Sequence, residues 1–302
     1  MRLSVGHAAC AQGAAGDQIR SEALTLSRLV DMQGHRLVVS EMARLFSRYG
    51  NLTYELTKRE IGERFAGQAI GALWAIMHPL MLMAVYVFVF SYIFRARFGE
   101  TAELPRNYVV FLLSGLICWL AFQEALAKAP TVILASRNLV KQIVFPIEVL
   151  PIKSVLATLP GIVIGVSFTA IYSLVYAGVP STILLVPPLV AAQLMAMAGM
   201  TYFLSAIGVY LRDLKDFVVA LLAIGIFIHP IIFVPTAIPP WFEYFFYLSP
   251  ISYFVWAYQD AIFYGRIAHP WAWVVIFAGS PLLWYAGYRT FRALRIYFGN
   301  AI

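Results

Sequence analysis

Ser154–Leu211 reads SVLATLPGIVIGVSFTAIYSLVYAGVPSTILLVPPLVAAQLMAMAGMTYFLSAIGVYL, without one Asp, Glu, Lys, Arg or His. A helix in a soluble domain keeps a polar face toward water, and nothing in this run could supply one. A bilayer crossing takes about 20 apolar residues. The run therefore holds two crossings, and Gly178-Val179-Pro180-Ser181 between them has the residues of a sharp turn. The fold class that follows is an all-α integral membrane protein.

The rest of the chain agrees. Hydrophobic residues make up 61% of it and charged residues 12%, about half the ~25% of soluble domains. Working outward from 155–177 and 182–210, further apolar segments fall at 70–94, 109–127, 217–234 and 271–288, giving six predicted spans. His78-Pro79 should kink the first or mark its start. Glu124 lies one turn before Lys128, a spacing that suits an ion pair at the membrane surface. Six spans put both termini on one side. Segments on that side carry eighteen of the 22 Lys and Arg, and Arg95, Arg97, Arg106 and Arg266 lie opposite. The positive-inside rule places both termini in the cytoplasm. The net charge of +7 is thereby accounted for without nucleic acid.

Upstream of the spans, residues 1–36 have no sustained period and read as a partly disordered tail. Val38, Met42, Leu45, Tyr49, Leu52 and Leu56 then recur on one helical face, with Arg44, Arg48 and Lys58 elsewhere. This basic amphipathic region, 37–69, suits the headgroup layer. Ile61 and Phe65 fall on the opposite face, which predicts a bend, end or restart near Thr57, with Gly50 a second candidate break. Residues 70–290 form the membrane domain and 291–302 a cytoplasmic tail.

Half the residues of Trp241–Tyr264 are aromatic, against 15% in the whole chain. Only Glu243 and Asp260 are charged there, and Pro239, Pro240 and Pro250 argue against a straight span. Topology places this stretch on the outer side.

Catalytic and cofactor chemistry finds no foothold. Gly62–Ala69 has glycines spaced like a phosphate loop but lacks its Lys and Ser/Thr, and no strand precedes it. Cys10 and Cys118 have neither disulfide-framework nor metal-ligand spacing. The apolar segments hold few ionisable groups. Glu124 sits near the end of its span, and His78 and His229 each precede a proline, which is a poor basis for a proton relay. Any energy source belongs to another chain.

Arg59-Glu60, Arg64-Phe65, Gly67, Gly71, Leu73-Trp74 and Pro79 resemble the opening signature of ABC-type polysaccharide exporter permeases, which export O-antigen, capsule and teichoic acid chains. Phe145-Pro146-Ile147-Glu148-Val149-Leu150-Pro151 resembles their cytoplasmic-loop motif, and Arg212-Asp213-Leu214 their short loop between the fourth and fifth spans. Leu248-Ser249-Pro250 stands where the family often has Asn-Pro, so Ser249 departs from the pattern. The resemblance runs from about residue 45 to the C-terminus.

The resemblance implies a homodimer in the bacterial cytoplasmic (inner) membrane, working with two copies of an ATP-binding subunit. ATP and Mg would be used by that partner, and this chain would bind no cofactor or metal. The cargo would be a lipid-linked polysaccharide, O-antigen-like before capsule or teichoic acid. An interface helix would cover about residues 51–65. A coupling helix within 136–151 would dock on the ATPase, with Arg137 and Lys141 as polar contacts and Val140, Ile143 and Phe145 as an apolar anchor beside Pro146 and Glu148. Lys58, Arg59 and Arg64 would attract the lipid pyrophosphate. Before the last span, two short re-entrant helices at about 241–248 and 251–264 would present Trp241, Tyr244, Tyr247, Tyr253, Trp256 and Tyr258 to apolar sugar faces. An exporter of drugs or small lipids is the first alternative. A membrane-embedded lipid-modifying enzyme is the second, and it would need a catalytic pair that the sequence does not offer.

Overall fold

The structure is a computed structural model. It describes residues 32–64, 67, 71–93, 107–140, 145–176, 178–233 and 239–298, without the side chains of 32–47, Ala72 and Pro240. Among the described residues all regular structure is helical. Helix α1 is Met32–Arg64, and α2 is Trp74–Phe88, entered by a 3-10 turn and continued by a π-helical turn Val89–Ile93. Then come α3 (Tyr108–Lys128), the short α4 (Val132–Ala135) and α5 (Arg137–Val140), α6 (Val149–Leu156) and α7 (Leu159–Tyr176). Next are α8 (Val186–Gly208) and α9 (Leu214–Ile228). The chain closes with α10 (Pro240–Leu248), α11 (Pro250–Gln259), a π-helical turn Asp260–Tyr264 and α12 (Pro270–Leu294).

Among the described residues, four helical runs are long and apolar enough to cross a membrane: Trp74–Ile93, Tyr108–Ala135, Val149–Tyr176 and Ser181–Gly208. The predicted fifth and sixth spans correspond to α9 and α12. Helix α9 has 15 residues, about 22 Å at 1.5 Å per residue, short of a ~30 Å hydrocarbon core. Helix α12 has 25 residues, but its Trp and Tyr residues dilute its apolarity.

Helix α3 is the hub. Its span is 83% buried, whereas that of Trp74–Ile93 is 6% buried, so α2 lies on the rim. Being apolar all round, α3 needs neighbours on every side, and α7, α8, α9 and α11 supply them. Asn107 caps its start by accepting the Val109 N–H at 2.9 Å.

Helices α8 and α12 pack almost backbone to backbone. A Cβ on Gly287 would lie 2.0 Å from the Gly199 carbonyl oxygen, and one on Gly199 2.4 Å from Leu283. Small residues at such seams let membrane helices approach until van der Waals packing of the two backbones carries the association.

Helix α1 neither ends nor restarts at Thr57 or Gly50: it runs as one helix from Met32 to Arg64. Thr53 and Thr57 each return a hydroxyl to the carbonyl four residues back, at 2.8 and 2.7 Å, without ending the helix. The apolar face changes because the partner changes. Tyr49 and Leu56 pack on the cluster of α6, α8 and α12, whereas Ile61 turns toward α2, α3 and α7. The predicted disordered tail is shortened by the helix starting at Met32, and its remainder lies outside the described residues.

Candidate functional site: a charged-mouth cavity and an aromatic end

Between the end of α1 and helices α2, α3 and α7 lies a cavity of about 610 Å³. Its deep wall is apolar, built from Leu82, Met83, Ile117 and Ile162. Pro79 has no N–H, so the Ala75 carbonyl loses its helical donor, and both residues line the cavity. Charge gathers at the mouth. The Arg64 guanidinium donates to the Glu124 carboxylate, and Lys128 Nζ stands 3.5 Å from the same oxygen. His78 completes the rim.

This arrangement sorts the three predicted basic residues. Arg64 faces the cavity. Lys58 and Arg59 are exposed and do not line it. Arg59 bonds instead to Glu63 at 2.6 Å, and that hydrogen bond and charge push the guanidinium pKa up. The expected Glu124–Lys128 pair is present. Arg64, sixty residues away from Glu124, was not legible as its partner.

The predicted coupling segment is half observed. Arg137 is exposed on α5, while Val140 and Phe145 are half-buried against the cluster of α6, α8 and α12, with Pro146 beside them. Lys141 and Ile143 lie outside the described residues. Glu148 is buried rather than presented. Its carboxylate pairs with Arg295, and its backbone carbonyl accepts the Tyr202 hydroxyl at 2.7 Å. Lys153, at 2.9 Å from Glu60, ties α6 to α1.

At the opposite end of the bundle the aromatic residues divide. Trp241 and Tyr244 are 64% and 77% exposed, on one face of α10. Phe242 and Phe246, on the other face, pack with Trp256 and Ala272. Tyr247, Tyr253, Trp256 and Trp271 pack on one another in tilted and edge-to-face pairs with centroids 4.9–5.8 Å apart. The Tyr253 hydroxyl is given to the Tyr247 carbonyl. Tyr247 donates its hydroxyl to Glu243 at 2.9 Å. Burial first, then that bond, pushes its pKa up to about 12, so it remains a donor. Tyr258 is fully buried and donates to Gln193 at 2.6 Å, far from any surface on which a sugar could stack.

Two polar knots here were not anticipated. Buried Asp260 accepts the His269 backbone N–H, His269 Nδ1–H and Trp273 Nε1–H at 2.8–3.0 Å. Its carboxylate is the signal that was there to read, one of two acids in an apolar stretch. Ser249 caps α11 by accepting the Ile251 N–H, and its hydroxyl lies 2.8 Å from His229 Nε2. The serine thus does locally what an asparagine could do at a cap. His229 Nδ1 gives its hydrogen to the Gly225 carbonyl, which leaves Nε2 to accept from Ser249.

The chain is similar in sequence to known proteins. An O-antigen export system permease protein RfbA from Myxococcus xanthus is 27% identical over 264 residues, covering 86% of this chain and 99% of the relative. One of the same name from Klebsiella pneumoniae is 23% identical over 254 residues, 83% of this chain and 95% of the relative. Residues 51–263 match the family model of the ABC-2 type transporter. That match spans well over half of the 302 residues, and the chain belongs to the ABC-2 type transporter family.

Proposed function

We propose that this chain is the membrane-spanning permease of an exporter that moves a lipid-linked polysaccharide, O-antigen-like, across the bacterial cytoplasmic membrane. ATP and Mg are consumed by a separate ATP-binding subunit, two copies of which serve a homodimer of this chain. Six spans, with α9 and α12 as the fifth and sixth, leave both termini in the cytoplasm. The end bearing Arg64 and α5 then faces the ATPase, with α1 along the membrane surface. Helices α10 and α11 lie at the outer mouth, and Trp241 and Tyr244 there offer exposed rings to passing sugars.

The observation that carries this reading is the 610 Å³ cavity, apolar within and charged at its mouth. That division matches an isoprenoid or acyl phosphate, whose tail seeks cover and whose head seeks cations. Arg64 and Lys128 would trade part of their hold on Glu124 for the phosphate, and charge-assisted bonds of this kind are the stronger ones. In Arg64→Ala, export should fall about tenfold, as expected for losing one charge-assisted contact of ~1.5 kcal/mol, and lipid-linked glycan should accumulate on the cytoplasmic side. Lys58→Ala with Arg59→Ala should export normally. Normal export by a folded Arg64→Ala protein would remove the cavity from the pathway.

A second reading, export of a drug or small lipid, draws on the same apolar wall, which does not itself call for a sugar. Deletion separates the two. Accumulated lipid-linked glycan supports the first, and drug sensitivity with normal glycan supports the second.

A further inference from the structure

A second, smaller cavity of about 130 Å³ opens at the aromatic end, between α10, α11, the Asp260–Tyr264 turn and the outer end of α3. Phe111, Phe233, Phe246, Tyr247, Trp256 and Tyr264 present rings to it. The remaining polar lining is Glu243, Gln259 and His269, with no Lys or Arg among them.

The hydrogen-bond directions are one-sided. Tyr247 gives its hydroxyl hydrogen to Glu243. Gln259 Nε2 donates to the Pro230 carbonyl at 2.8 Å. His269 Nδ1 gives its hydrogen to Asp260. What Glu243, Gln259 and His269 have left for a guest is weighted toward lone pairs: a carboxylate, an amide oxygen and, on a neutral imidazole, Nε2. Aromatic faces are also negative, through their quadrupoles. The carboxylates of Glu243, at the cavity, and Asp260, behind His269, add to that potential. An anion would be repelled. A cation rich in donors or in polarised methyl groups would be held by ring faces and acceptors together.

We infer that this cavity is a cage for a small organic ammonium. The volume matches one such group rather than a whole sugar residue or a lipid tail. Two sources carry this chemistry on the outer side: the ethanolamine or choline head of a phospholipid, and the amine of an amino sugar. The inference rests on the proposed topology for its two sources but not on the cytoplasmic cavity. Its test reads amine binding rather than export, so its failure is distinguishable from failure of the export reading.

The test is saturation-transfer NMR on the full-length protein in nanodiscs with its ATPase. Choline is the probe and 3,3-dimethyl-1-butanol its neutral isostere. Choline methyl groups should be saturated and the isostere's should not. Glu243→Gln, at an exposed carboxylate that leaves the packing intact, should weaken choline about fivefold, the worth of a ~1 kcal/mol ion pair. Trp256→Leu should weaken it further if the protein still folds. Glucosamine against glucose, and phosphatidylethanolamine against phosphatidylglycerol nanodiscs, then identify the source. Competition by either amine supports the cage. Equal saturation of choline and its isostere, or an unchanged Glu243→Gln protein, would each overturn it.

Discussion

Glu148 belongs to the loop motif expected to face a partner, yet its side chain turns inward to Arg295. Arg295 is 37% exposed, so once its partner is lost it can turn to water. Glu148→Gln should therefore cost about 1–2 kcal/mol rather than the ~3–5 of a wholly buried pair, read as a lower melting temperature in detergent. The exchanged pair, Glu148→Arg with Arg295→Glu, should recover part of that loss. No recovery would mean the two charges are not coupled. The same residue-level limit governs the other surprises. Arg64–Glu124, Lys153–Glu60 and Glu148–Arg295 join residues far apart in the chain, and periodicity reports only near neighbours. Tyr258 counted with the exposed aromatics because composition does not say which way a ring points, and its bond to Gln193 crosses sixty-five positions.

Helices were more legible than contacts. The charge-free run and its Gly-Pro turn announce α7 and α8, because hydropathy is a local property. The prolines at 239, 240 and 250 divide the aromatic stretch where α10 and α11 begin. Helix α1 defeats such reading because a change of apolar face looks the same in sequence whether a helix breaks or meets a new neighbour. The α8–α12 seam gives a sharp test at this scale. Gly287→Ala would drive a methyl to 2.0 Å from the Gly199 carbonyl oxygen, and overpacking against backbone should cost about 3 kcal/mol. Gly279→Ala, on the same helix with nothing within 4 Å, should be neutral or gain about 0.5–1 kcal/mol from helix propensity. Thermal melts of the two in detergent should move apart. Equal melts would show that the helices separate easily.

For the whole molecule, the proposed topology puts α5 and α10 on opposite sides of the membrane. In a protein lacking Cys10, Asn138→Cys should react with an impermeant maleimide only after lysis, and Tyr244→Cys in intact spheroplasts. Cys118 is buried and should stay silent, which leaves the signal clean. Labelling of both from outside would break the six-span arrangement. One outer feature also bears on how such a chain is made. In that topology Asp260 has to be carried across the bilayer, and a lone carboxylate on that route is costly. Its three donors come from residues only nine and thirteen positions further on. The segment from α11 to the start of α12 can therefore satisfy its own carboxylate with hydrogen bonds as a hairpin while it leaves the translocon, without drawing on any other helix.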